Sequence, residues 1–213
     1  IFSCSLCAML AAFDGARLKR ATDRHIATVR PWWRVTWNLT WPTFALALLL
    51  QAFGLYLNSS GTWGSPSRFP WEIIAAWLAM ILLHVAFGLV LGFFLPLVIS
   101  APLALLGSYS WLGFLWALDY IPARYLSGLT MVNCCTPESR FPAEAAASTI
   151  TFSLVAFLVV LAIIRHMMQG SRMPVLASLA ALLTLGAGVT AALLMASSLG
   201  TMPNPPRDTA ELH

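Results

Sequence analysis

The sequence predicts an all-α fold: a polytopic transmembrane helix bundle with about five complete spanning helices and an N-terminal helix stub. Three observations lead there. Hydrophobic residues make up 59% of the 213 and charged residues only 9%, against the roughly 25% charged that is usual for soluble domains. Several segments are apolar over the roughly 20 residues that a helix needs to cross the hydrocarbon layer. The cations are concentrated in one connection between apolar segments. A closed barrel, the other structure that spans membranes, needs strands that alternate apolar with polar residues. Runs such as Phe44-Ala45-Leu46-Ala47-Leu48-Leu49-Leu50 do not alternate.

In chain order, the apolar run Ile1 to Phe13 stops at Asp14 and lacks the basic leader and small-residue cleavage site of a signal peptide. It reads as the end of a membrane helix whose start precedes this chain. Residues 14–35 form a basic, cytoplasmic, coupling-like segment, in which Asp14 is placed to cap a helix. The transmembrane domain covers 36–199, with spans at Thr36 to Leu57, Trp71 to Leu95, Leu103 to Tyr120, Ser148 to Ile164 and Pro174 to Leu199. Leu103 to Tyr120 and Ser148 to Ile164 are short for a full crossing. The bend around Pro96 to Pro102 joins two spans, an outer loop lies at 121–147, and 200–213 is an extracytoplasmic tail.

Orientation follows from the cations, because loops rich in Lys and Arg stay on the cytoplasmic side. Arg17, Lys19, Arg20, Arg24, Arg30 and Arg34 crowd one connection, which is therefore inside together with Arg165 and Arg172; Arg68, Arg124, Arg140 and Arg207 fall outside. Trp32, Trp33, Trp37 and Trp41 gather near the inner face and Trp63 and Trp71 near the outer, where indoles favour the headgroup zone. Within the basic segment Leu18, Ala21, His25 and Thr28 recur at helical spacing, which suits a helix lying on the membrane surface or docked on a cytoplasmic partner. A solvated loop that only sets topology explains the charge but not the length.

The stub Ile1 to Phe13, the basic segment Asp14 to Arg34 and the outer stretch from Ile121-Pro122-Ala123-Arg124-Tyr125-Leu126 to Phe141-Pro142-Ala143-Glu144 together resemble the organisation of the membrane (permease) subunit of an ATP-binding-cassette type-2 exporter, in its divergent actinobacterial-like form. The resemblance covers most of the chain. It implies that the stub ends the family's second helix, that Arg17, Lys19, Arg20 and Arg24 contact a cytoplasmic ATPase subunit through a coupling helix, and that the outer stretch is a partly re-entrant hairpin. Pro174 to Leu199 would then be a seventh helix. It also implies a second membrane subunit as a homo- or heterodimer partner, ATP and Mg held on the partner ATPase with no cofactor in this chain, and a bacterial plasma membrane. No nucleic-acid partner is expected.

The residues bear on that reading in one further way. A phosphate-binding loop needs a lysine for the β and γ phosphates, and the only lysine is Lys19, followed by Arg20. This chain is therefore not expected to be an enzyme, and any ATP energy must come from another chain. Neither H-E-x-x-H nor G-x-S-x-G occurs.

Among the remaining residues, Cys134 and Cys135 lie in the outer loop, where oxidation is permitted. They are candidates for a disulfide, within the pair or to another chain, or remain reduced. Cys4 and Cys7 in the stub, placed near the inner face, read as small helix-packing residues and not as a metal site. His84 is the one ionisable residue deep in a span; helix packing is its commonest role, and ligation of haem or a pigment is the alternative. Gly88 and Gly92 form a G-x-x-x-G packing surface, Asp119 and Arg124 are placed to pair beside Pro122, and Asn58-Ser59-Ser60 matches a glycosylation acceptor. The leading functional expectation is the transmembrane subunit of an ATP-driven exporter that forms the substrate path. The competing one is a non-transport scaffold or anchor subunit of a larger membrane complex, with haem or pigment at His84.

Overall fold

The computed structural model describes residues 2–23, 31–59, 71–115, 118, 121–127, 143–168 and 175–197. Within them the chain is all-helical, with α1 (Phe2–Asp23), α2 (Trp32–Ser59), α3 (Trp71–Phe94), α4 (Leu97–Phe114), α5 (Ile121–Tyr125), α6 (Ala143–Met168) and α7 (Val175–Ser197). There is no strand among the described residues. Among the described residues four helices are long and apolar enough to cross a membrane, at Ile74–Phe94, Leu97–Phe114, Ala143–Met168 and Ser178–Ser197. The 28-residue α2 is not one of the four counted among the described residues; its apolar run starts at Phe44, after first turns that carry Arg34, Thr36, Asn38 and Thr40.

Several boundaries differ from the sequence expectation. Asp14 does not cap a helix; it sits in the middle of α1, which runs unbroken from the apolar stub through Arg20 to Asp23. The fourth helix starts at Leu97, immediately after Pro96, and so lies about one and a half turns earlier than Leu103 to Tyr120. Pro96 ends α3 and its carbonyl accepts from the Ile99 and Ser100 amides, each at 2.9 Å. Pro102, expected in the same bend, lies inside α4. The sixth helix is 26 residues long and no short span. The alanine-rich start Ala143-Glu144-Ala145-Ala146-Ala147 joins it, with Glu144 in the first turn and Arg165 and His166 in the last, which is where the helix dipole favours each charge.

Contacts between helices define two ends of the bundle. Gly88 meets Ala8 and Gly92 meets Ala12, so α1 and α3 run parallel. Ser3 donates to Gln51 and Thr43 to Asp14, so α2 is antiparallel to α1. Ser108 on α4 pairs with His84 on α3, Thr36 near the start of α2 reaches Met168 at the end of α6, and Ser148 near the start of α6 donates to the Ala192 carbonyl near the end of α7. One end therefore gathers Asp23, Trp32, Leu97 and Met168; the other gathers Phe114, α5, Ala143 and Ser197. The core is built on α1 and α3, joined by Leu112, Ile164 and Met168. Large apolar side chains remain exposed on α4 and α7, among them Val98, Leu106, Phe114, Leu183 and Leu194, as on helices whose solvent is lipid.

Candidate functional site

Three features of the bundle have chemical or mechanical content: the seam that carries the basic end of α1, the polar pairs in the interior, and two apolar grooves at the basic end.

The seam is made of small residues. A Cβ on Gly88 would overlap the Ala8 carbonyl oxygen and stand 2.9 Å from the Ala11 methyl; one on Gly92 would overlap the Ala12 carbonyl oxygen. From the other side, a Cβ on Gly15 would overlap the Leu89 carbonyl oxygen and lie 2.9 Å from the Phe93 nitrogen. The G-x-x-x-G surface of α3 therefore packs within the chain, against α1, and both backbones touch where any larger residue would hold them apart. Gly15 gave no such signal in the sequence, because its partner is more than seventy residues away.

Beyond Gly15 the helix carries Arg17, Lys19 and Arg20, all exposed, whereas Leu18 between them is fully buried in the core cluster that includes Phe93 and Met168. Leu18 thus anchors this end to the bundle instead of facing a membrane surface. Arg17 forms a 3.4 Å salt bridge with Asp14 one turn back, and Arg20 donates from Nε to the Ala16 carbonyl at 3.4 Å. Lys19 is exposed, and Arg24 lies outside the described residues.

The interior holds two polar pairs that the sequence left unpaired. Asp14 is 4% exposed, and its carboxylate accepts from Thr43 Oγ1 on α2 as well as from Arg17. His84 is 2% exposed, with Nδ1 at 2.7 Å from Ser108 Oγ on α4. Among the described residues His84 Nε2, Trp111 Nε1 and Ser153 Oγ are buried without a hydrogen-bond partner. Trp111 is stacked on Phe152, with centroids 5.7 Å apart. The His84–Ser108 bond ties α3 to α4 and fixes the imidazole, and no group of three or more metal-ligating side chains occurs among the described residues.

At the opposite end α5 seats Tyr125 in a small cluster with Ala145 and Ala196. Thr149 donates both to the Tyr125 carbonyl and to Ala145. Burial pushes the Tyr125 phenol above its ordinary pKa. Arg124 donates to the Leu118 carbonyl at 2.6 Å; its expected partner Asp119, together with Cys134, Cys135 and the tail, lies outside the described residues. Cys4 and Cys7 are buried, unbridged packing residues of α1. They lie in the half of the bundle away from the basic end, where neighbouring Ser3 meets Gln51, and not near the inner face as the sequence suggested.

The two grooves flank Trp32 and Leu161. One, of about 310 Å³, lies between α2, α3 and α6 and is lined by Trp33, Trp37, Phe44, Leu82, Val85, Leu89 and Phe157, with Thr36 and Thr40. Both threonine hydroxyls are already spent on helix carbonyls, Thr36 on Trp32 and Thr40 on Thr36, so this lining is apolar in effect. The other, of about 730 Å³, lies between α6 and α7 and is lined by Leu158, Ala162, Arg165, His166, Ala181 and Thr184.

Comparison of the chain with protein-family models, curated proteins and solved structures finds no match in any of the three.

Proposed function

We propose that this chain is the transmembrane subunit of an ATP-driven exporter, with five complete spans (α2, α3, α4, α6 and α7) and α1 packed against α3 as its coupling element. The basic end of α1 is cytoplasmic and receives a separate ATPase subunit. A second membrane subunit completes the substrate path, and ATP and Mg stay on the ATPase.

One observation carries this reading: α1 is a single helix whose exposed cations continue directly from the part interlocked with α3. An ATPase can move a membrane subunit only through physical contact. A push on Arg20 travels along a hydrogen-bonded helix into Gly15, Ala12 and Ala8, which touch α3 backbone to backbone without a compressible layer of side chains between them. A loop that only set topology would need neither the continuity nor the seam.

The distribution of charge supports the orientation. At the basic end the described residues include Arg17, Lys19, Arg20, Arg34 and Arg165; at the other end Arg124 is the one described cation, which is the asymmetry expected of a cytoplasmic face. The rival reading, an anchor with haem at His84, asks a macrocycle to reach a side chain that is 2% exposed, held by Ser108, and absent from the lining of both grooves. The functional test is to isolate the chain from its own membranes in mild detergent and assay the purified complex for ATP hydrolysis. A stoichiometric ATPase with coupled hydrolysis is expected; isolation of the folded chain without one contradicts the reading.

A further inference from the structure

The grooves either side of Trp32 have a feature that transport does not explain. The smaller is apolar in effect, the larger is apolar except for Thr184, Arg165 and His166, and an arginine stands at the basic end beside each: Arg165 in the lining of the larger and Arg34 over Trp33 of the smaller. Arg165 lies one turn beyond Leu161 on α6, so it sits on the same helix face as the residue that lines both grooves. Its guanidinium carbon is 5.7 Å from the centre of the Trp32 ring. Arg34 stands 5.1 Å from the Trp33 ring, beside the first groove. Both arginines are exposed, and neither has a carboxylate partner among the described residues, where the one salt bridge is Arg17–Asp14. The described lining of neither groove contains an acidic residue.

An occupant must therefore be apolar over most of its length, anionic at one end, and divided where Trp32 and Leu161 separate the grooves. We propose that the paired grooves bind one anionic glycerophospholipid of the leaflet on the basic side. One acyl chain lies between α2, α3 and α6, the other lies between α6 and α7, and the phosphate sits at Arg165 and Arg34. The volumes, about 310 and 730 Å³, fall in the range of sites that enclose small molecules, roughly 300–1,000 Å³. Guanidinium is suited to phosphate because its planar fork offers paired donors, and basic pockets between spanning helices on the cytoplasmic side favour such headgroups. The bound lipid fills the gap between α2 and α6 and ties α7 to them. Because α2 follows directly on the basic segment, the lipid steadies the helices nearest the proposed ATPase contact. The site itself does not depend on an ATPase, and its assay uses this chain alone, so it fails or stands separately from the transport reading.

The test uses indole quenching in nanodiscs. The chain is reconstituted in phosphatidylcholine containing a small, varied fraction of phosphatidylglycerol, with bromine on the acyl chains of one lipid or the other. Trp32, Trp33 and Trp37 line the first groove, so brominated phosphatidylglycerol is expected to quench at a mole fraction several-fold lower than brominated phosphatidylcholine. Arg165→Gln and Arg34→Gln should each reduce that preference by roughly fivefold, the factor expected for one cation facing an anionic lipid surface. Arg165→Lys should keep part of it, and Arg124→Gln at the opposite end should keep all of it. Both arginines are exposed, so the variants should fold, with unchanged helical circular dichroism as the control. The proposal is overturned by equal quenching from the two lipids in the wild type, or by a preference that survives the double Gln variant. It is also overturned by the absence of quenching from either lipid, which would mean that a second copy or another protein segment covers the grooves.

Discussion

Replacing Gly92 with Ala adds a methyl group where α1 leaves no room. The new Cβ would overlap the Ala12 carbonyl oxygen and lie 2.6 Å from Ala12 C and 2.8 Å from its Cα, whereas carbon atoms in good contact are about 3.5–4.0 Å apart. All three obstructing atoms are backbone, so nothing can rotate aside and α1 must retreat by about 1 Å. A gap of that size forfeits roughly a quarter to a half of each dispersion contact along the seam. Overpacking typically costs about 1–3 kcal/mol, and with rigid backbone on both sides the expected loss is in the upper half of that range. The assay is unfolding in mixed micelles by titration with sodium dodecyl sulfate, followed by circular dichroism. Gly54→Ala is the matched control: it lies inside α2 with nothing within 4 Å of its added methyl, so the same chemical change should be neutral or stabilising by up to about 1 kcal/mol through helix propensity. If Gly92→Ala and Gly54→Ala unfold alike, α1 is not interlocked with α3 and the mechanical argument fails with it.

Four further outcomes follow from the interior and the loops. Thr43→Val removes a donor from the buried Asp14 carboxylate and should cost about 1–3 kcal/mol in the same titration, the usual penalty for stranding a buried polar group; a variant as stable as the wild type would show that Asp14 does not depend on Thr43. Ser108→Ala should destabilise by a similar amount and its effect should not add to that of His84→Leu, because both remove one hydrogen bond; additive losses would mean that the two side chains act independently. The purified protein should show no visible absorption band, and a haem or pigment spectrum lost in His84→Ala would favour the anchor instead. In intact, reduced cells Cys134 and Cys135 should react with a membrane-impermeant thiol reagent; labelling only after the cells are opened would invert the topology.

Much of the architecture was legible because apolar length and mean composition are local properties. The third helix, which the sequence predicts at Trp71 to Leu95, is found at Trp71–Phe94, since nothing in that run competes with helix. The fourth was misplaced because two prolines lie six residues apart, and the sequence does not say which one breaks the chain. Pro96 does so, while Pro102 is carried within α4. Asp14-Gly15 looked like a helix start because a carboxylate and a glycine are poor helix-interior residues in isolation. Here the carboxylate is matched by Thr43 and the glycine by the backbone of α3, tertiary gains that outweigh local preference. The same limit applies to the site: Gly88 and Gly92 could be marked as a packing surface, and His84 as a deep polar residue, yet their partners Ala8, Ala12 and Ser108 carry no pattern that names them. The grooves were not legible at all, because they are shaped by helices that diverge in space.

The proposed seat of the ATPase is the basic end of α1. Charge reversal there tests it most directly, and the structure dictates which residues to change. Arg17 must be left alone, because a glutamate beside the buried Asp14 would place two carboxylates together and disturb the bundle. Lys19→Glu, Arg20→Glu and Arg24→Glu are combined instead, since like charges set against each other across an interface cost several kcal/mol. Membrane insertion of the triple variant is verified first, because cations in this segment also set topology. The prediction is that the inserted, folded variant is isolated without the ATPase that accompanies the wild type and has lost its ATP hydrolysis. A correctly inserted variant that retains the ATPase and its activity would contradict the account.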